Sequence, residues 1–368
     1  MLRRFAAALI AISIPTGLSV ATTPAGPDKP SERITISSGK FTVGNHPIWI
    51  NGANTPWHNW NDLGGDFDPD WWNAHFQLLH NCGINAARIW ISCSGDVGIE
   101  VDENGLVSGA TPAYWADLGR LLDIAQKNEV YVLATLMSCD HFNTKHPNFK
   151  KWRKWIGTDE GIDSYIKNFL HPLLERFGHA PRLWAIDLMN EPDWVFENAE
   201  DGRIPWERLQ NYFARAASEI HRESEVLVTI GMAMPRYNSE VANSAQGNKV
   251  SNASLRAVFS GPGARLDFYS THYYDWCGQL WGNALHMSPQ AYGLPGDKPS
   301  IIEEFPATGT KGYTVAGDYE SAFQNGWEGA MGWTSNSVDR FGGISELGEA
   351  TLAFERRHAD LVYPGESR

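Results

Sequence analysis

Cysteine is scarce: Cys82, Cys93, Cys139 and Cys277 are the only four in 368 residues. With no Cys-x-x-Cys spacing among them, that count excludes a disulfide-built scaffold and a structural zinc module. Basic residues are few as well, 30 Lys and Arg against 43 Asp and Glu, for a net charge of −13. A chain without a basic stripe has nothing to displace the counterions of a nucleic-acid backbone, which excludes nucleic acid as a partner. No Gly-x-Ser-x-Gly, His-Glu-x-x-His or glycine-rich phosphate turn occurs. A serine-hydrolase elbow, a zinc-peptidase helix and a dinucleotide fold therefore lack their signatures. Nor does a repeat, low-complexity run or Pro/Ser linker divide residues 34–360, so they read as one domain.

The one sustained apolar run is at the start. Arg3 and Arg4 precede the stretch 5–14, and Ser19-Val20-Ala21 follows with small residues. Positive, apolar and small residues in that order predict a signal peptide, too short to span a bilayer. The expected layout is a leader over 1–21, a flexible lead over 22–33, the domain over 34–360 and a tail over 361–368. The mature chain is expected to be secreted or periplasmic, free of membrane and monomeric. Export permits disulfides. Cys93 and Cys139 end neighbouring predicted strands, so either a bridge or a pair of buried thiols suits them.

Hydrophobic residues make up 42% of the chain and aromatic residues 12%, including 16 Trp. That is enough for a sizeable core, with ring faces to spare for stacking on sugars. Near-continuous apolar runs predict eight strands buried on both faces, at 47–51, 85–92, 130–138, 184–191, 226–232, 267–274, 300–305 and 329–336. Helical patterns alternate with them. Asp68-Pro69 and Thr111-Pro112 are cap signals, and Gly83 is a stop. Thr158 or Asp159 opens the segment that closes at Phe177-Gly178, and short helical pieces are expected at 239–244 and 254–258. Eight strands alternating with helices predict an α/β fold, a single (β/α)8 TIM barrel. Such a barrel needs about 250 residues, and the surplus falls in long loops at the C-terminal face, where barrels carry their chemistry.

Two strand tips carry acids. The fourth strand ends Asp187-Leu188-Met189-Asn190-Glu191-Pro192, and the seventh ends Ile301-Ile302-Glu303-Glu304-Phe305. Strands four and seven face each other across a barrel, so their carboxylates enter one cleft from opposite sides. Two opposed carboxylates are what glycoside hydrolysis requires. Arg88 on strand two is a fixed cation for one of them. His272 and Tyr274 on strand six supply hydrogen bonds, and Trp333 on strand eight supplies a stacking floor. Side chains alternate along a strand, so only one of Glu303 and Glu304 is expected in the cleft.

Asn190-Glu191-Pro192, His272-Tyr273-Tyr274, Lys298 through Phe305, Arg88 and Trp333, in that strand order, resemble glycoside hydrolase family 5 of clan A. The resemblance runs over nearly the whole mature chain. It implies a retaining β-glycosidase without cofactor or metal. Glu191 would be the acid/base and Glu304 the nucleophile. Asn190 would hold the sugar 2-hydroxyl, Arg88 and Tyr274 would orient Glu304, His272 would support the acid/base and Trp333 would stack beneath the sugar. Matching strand seven to the family puts the nucleophile at 304, leaving Glu303 to face the helical layer or a loop with a structural partner. Glu303 and Pro306 stand where the family usually has glycine. His141 follows strand three, where the family often has a functional His or Asn. The segment from Asn51 to Trp57, continued by Asn59 to Gly64, is similar to mannan-active members. The expected substrate is therefore β-1,4-mannan cut internally, with cellulose-type glucan next and a non-catalytic polysaccharide binder as the remaining alternative.

Overall fold

The computed structural model describes residues 32–365. The expected leader at 1–21 lies outside them, as do most of the lead and the last three residues of the tail. Eight parallel strands close into a barrel: β1 Ile50–Asn54, β2 Ala86–Trp90, β3 Tyr131–Thr135, β4 Leu183–Asn190, β5 Leu227–Met232, β6 Tyr269–His272, β7 Ser300–Pro306 and β8 Gly329–Trp333. Each pairs with its neighbours in chain order, and β8 closes on β1 through Gly329↔Ile50 to Gly332↔Ala53. Helices fill the connections, giving the (β/α)8 barrel that the strand count predicts.

Local signals set the helix starts. The Asp68 side chain accepts from the amides of Asp70 and Trp71 at 3.1 and 3.0 Å, opening Pro69–Asn81. Thr111 and Thr158 do the same for Tyr114 and Gly161 at 3.2 and 3.0 Å. Gly83 ends the first helix at φ +74°, and a Cβ there would lie 2.7 Å from that of Glu355. Both conformation and space therefore require glycine.

The structure departs from expectation in three places. The first barrel strand begins at Ile50; His46–Pro47 instead edges a small antiparallel sheet with Ile34–Ser37 and Lys40–Val43. Pro47 lacks the N–H that an inner strand must donate, which suits an edge. The region 239–244 forms no helix: Ser239 caps the amides of Val241 and Ala242 at 3.1 and 2.9 Å, but the chain closes in a turn, Ala245 N to Ala242 O at 3.0 Å, with Ser244 left-handed at φ 58°. The third departure, at Glu303, concerns the site below. Of the two arrangements open to Cys93 and Cys139 the structure takes free thiols, and Cys82 and Cys277 are unpaired too. Cys93 leaves β2 in a loop while Cys139 enters a helical turn, Cys139–Phe142.

The antiparallel sheet stoppers the N-terminal end of the barrel. Phe41 is fully buried and sets its ring edge-on to Trp184 and Phe268 at 5.3 and 5.2 Å. With Ile34, Ile48, Ile301 and Met331 these form an apolar cluster of their own. The Arg33 guanidinium donates to the carbonyls of Leu183 and Gly178 at 2.5 and 2.9 Å. At the other chain end the carbonyl of Leu361 accepts from Trp49 at 2.8 Å. Among the described residues no helix is long and apolar enough to cross a membrane.

Candidate active site

The C-terminal ends of the strands open into a cleft of about 800 Å3. Six tryptophans line it, Trp57, Trp60, Trp90, Trp194, Trp276 and Trp333, together with Asn190, Glu191, Tyr274 and Glu304. Rings that a core would have hidden are thus left on a concave surface, as a ligand with flat apolar faces requires. Trp57 and Trp90 meet Trp333 edge to face at 6.2 and 5.2 Å, fixing its plane.

Glu191 is the residue at which β4 turns into the short helix Pro192–Glu197. Its backbone is left-handed, φ 51° and ψ 55°, and its amide donates to Gly231 O at 2.7 Å. A glutamate held this way costs on the order of 1–3 kcal/mol, offset by the surrounding structure. Glu304 comes from the opposite wall. One oxygen of Glu191, one of Glu304 and one nitrogen of His272 lie within 4.8 Å of one another.

Arg88 organises the floor. Fully buried, it donates to Glu304 Oε1 at 2.5 Å, Asp187 Oδ2 at 2.7 Å, Asn190 Oδ1 at 2.9 Å and Asn54 Oδ1 at 3.2 Å. Its guanidinium also lies 4.2 Å from the Trp90 ring. Tyr274 donates to the other oxygen of Glu304 at 2.9 Å. His272 Nδ1 lies 3.0 Å from Glu191 Oε1 and 3.4 Å from Glu304 Oε2. All seven residues singled out in the sequence therefore meet at one end of the barrel.

Burial raises the Glu304 carboxyl above its ordinary range, while His272 and Arg88 pull it back down. Burial alone would lower His272, but the carboxylates of Glu304, Glu191 and Glu303 outweigh it and push the ring up to about 10. An imidazolium has no lone pair for a metal. Burial likewise raises Asp193, two residues beyond Glu191, to about 7, against hydrogen bonds that include the Ala233 amide at 2.8 Å.

Glu303 corrects an expectation. It does not face the helical layer: it is fully buried inside the barrel beneath Glu304, with Oε1 3.4 Å from Arg88 Nε. The register of β7 shifts between Ile302 and Phe305, a bulge that breaks the alternation of sides. His141 stays outside the cleft lining. Its Nδ1 accepts from the Ser138 amide at 3.2 Å, and Nε2 pairs with Ser92 Oγ at 2.9 Å, so it caps a turn. Asp187 and Asn54 escaped the sequence reading. Asp187 carried a signal, being a charged residue in the middle of a strand buried on both faces; Asn54 did not.

Two buried histidines set an acid limit. Burial lowers His141 to about 3 and His75 to about 4. Both are neutral in the fold and titrate near 6.5 once unfolded, so the stability they lend is full above about pH 6.5 and is lost as pH falls toward those values. His75 Nε2 meets Ser335 Oγ at 2.8 Å, a contact a glutamine amide can replace. Thermal melts between pH 7 and pH 4 are expected to fall less steeply for His75→Gln than for the parent. Equal slopes would refute this.

Fold and site together are those of a (β/α)8 barrel with two facing carboxylates at its mouth, similar to the glycoside hydrolases that the sequence resembles. The chain is 25% identical over 343 residues to a mannan endo-1,4-β-mannosidase of Cryptopygus antarcticus, covering 85% of this chain and 87% of the relative. It is 24% identical over 351 residues to one of Mytilus edulis, covering 87% and 93%. The solved β-mannanase of Mytilus edulis superposes with a TM-score of 0.80 at 21% identity, over 91% of this chain and 100% of that one. That of Eisenia fetida does so with 0.77 at 23%, over 87% and 94%. No protein-family model matches the chain.

Proposed function

We infer that this protein is a retaining endo-β-1,4-mannanase with Glu304 as nucleophile and Glu191 as acid/base. The observation that carries the mechanism is the approach of the two carboxyl groups to within 4.8 Å across the cleft. Carboxyls about 5–5.5 Å apart leave no room for water between them and the anomeric carbon, whereas inversion needs about 6.5–9.5 Å. Glu304, gripped by Arg88 and Tyr274, attacks the anomeric carbon while Glu191 protonates the departing glycosidic oxygen. Glu191 then takes a proton from the water that releases the glycosyl–enzyme ester. Asn190 is placed between Arg88 and the cleft to meet the 2-hydroxyl, and Trp333 forms the floor under the ring.

The mannan assignment is supported by the relatives. The reading takes the protein as a monomer. The reading includes export through the leader, with a mature start near Thr22 that mass spectrometry of the exported protein checks. Reducing ends should be released from mannan in preference to carboxymethyl cellulose, xylan and laminarin, with the β-anomer formed first by NMR. Preference for cellulose or xylan overturns the substrate; first formation of the α-anomer overturns the mechanism.

A further inference from the structure

Both ring nitrogens of His272 face carboxylates. Nδ1 is turned to Glu191 and Glu304, and Nε2 lies 3.4 Å from Glu303 Oε2. A neutral imidazole carries one N–H, so one of its nitrogens would direct a lone pair at a carboxylate oxygen. With Glu191 and Glu304 both ionised, the arrangement is satisfied only by the imidazolium. Without Glu303, a neutral ring with its proton on Nδ1 would serve the Glu191 side equally well, so Glu303 is the group that makes the second proton necessary.

The space for Glu303 is reserved by its neighbours. A Cβ on Gly231 of β5 would lie 2.5 Å from Glu303 Oε2, 2.8 Å from Arg88 Nη2 and 3.0 Å from His272 Nε2. The bulge in β7 turns Glu303 inward, and the missing side chain at Gly231 receives it. Arg88 Nε and Glu303 Oε1 make no directed hydrogen bond to each other or to another described group. The contact is one of charge, and the directed demand of Glu303 falls on His272. The other charged groups around this pair are Asp187 and Glu191 at β4, Asp193 in the helix that follows, and Glu304 beside Glu303 on β7.

We propose that Glu303 is a positioning residue that holds His272 as a permanent imidazolium between the two candidate catalytic carboxylates. The inference rests on the retaining reading of Glu191 and Glu304, and it adds a reason for a carboxylate beneath them. A fixed positive charge against both offsets their mutual repulsion whenever the two are ionised together. It also favours the carboxylate form of each at the step where that form is needed: Glu304 in attack, Glu191 in deglycosylation.

The test follows the His272 ring by long-range 15N correlation spectra of the full chain, alongside the pH profile of kcat/KM. In the parent both nitrogens are expected to stay protonated to at least about pH 9, given a ring pushed up to about 10. In Glu303→Gln the deprotonation midpoint should fall by about one unit or more, and kcat/KM should drop about 10- to 100-fold, the usual cost of deleting a charged hydrogen-bond partner. Glu303→Asp keeps the charge and should keep the parent midpoint. A midpoint in Glu303→Gln that stays where it is in the parent overturns the proposal. Should Glu303→Gln fail to fold, Gly231→Ala wedges a methyl between Glu303 and His272 with all charges kept, and its midpoint must fall as well. A parent inactive on every β-glycan would sink the retaining reading while leaving the His272 titration to be read on its own.

Discussion

Glu304→Gln should abolish hydrolysis, with kcat lower by on the order of 10^3-fold or more. An amide has no anionic oxygen to bond to the anomeric carbon, so the covalent route closes. The side chain keeps its shape: its amide oxygen can still accept from Arg88, and its NH2 can donate to the Tyr274 hydroxyl, the two groups that lie 2.5 and 2.9 Å from Glu304 in the parent. The melting temperature should therefore shift little beside the loss of rate. Glu191→Gln gives the informative contrast. A substrate whose leaving group needs no protonation should still be attacked by Glu304, so release of the first product survives while turnover stalls. Steady-state and burst kinetics on a mannan and on an activated aryl glycoside separate the two. Near-normal turnover by Glu304→Gln would remove Glu304 from the chemistry.

Arg88→Leu should be the most destabilising single change at the site. The guanidinium is fully buried and is the shared cation of Asp187, Glu303 and Glu304. Removing one partner of a buried ion pair costs about 3–5 kcal/mol because the other charge stays behind, against a total stability of about 5–15 kcal/mol. Three stranded carboxylates put this case toward the upper end. Burial already raises Asp187 and Glu304 above their ordinary range, and the loss of Arg88 raises them further. An acid whose folded pKa lies above its unfolded value lends stability below the unfolded value and loses it as pH rises through the folded one. Urea titrations should thus find Arg88→Leu least destabilised, relative to the parent, at acid pH and most at neutral pH and above. Arg88→Lys keeps a charge but not the planar fork that reaches Glu304, Asp187, Asn190 and Asn54 together, and should fall between. A deficit independent of pH would mean that packing, not charge, is what Arg88 contributes.

The barrel was legible because its strands are apolar on both faces and its helices announce their starts. Asp68, Thr111 and Thr158 cap where their sequence contexts say they should. The two acids were legible because a carboxylate at the tip of a buried strand needs a reason to be there. What sequence periodicity does not carry is a change of phase. The bulge between Ile302 and Phe305 leaves no compositional mark, so the inward turn of Glu303 was hidden, and with it the use of Gly231 as empty space. The small sheet at the start was legible in hindsight: Ile34 and Ile36 alternate, and Ser38-Gly39, both at positive φ, make the turn. The segment after Ser239 shows the reverse error, a capped start that stops at a left-handed Ser244 before a helix can form.

That small sheet also sets an order of events. Phe41 rests on Trp184 and on Phe268, more than 220 positions further along the chain. During synthesis from the N-terminus the stopper is among the first parts of the domain to emerge, and its seat is among the last to be finished. The end of the barrel remote from the tryptophan cleft is thus sealed by the earliest-made segment only after the strand bearing Tyr269 has left the ribosome, and a chain arrested before then holds Phe41 and Ile34 with nowhere to bury them.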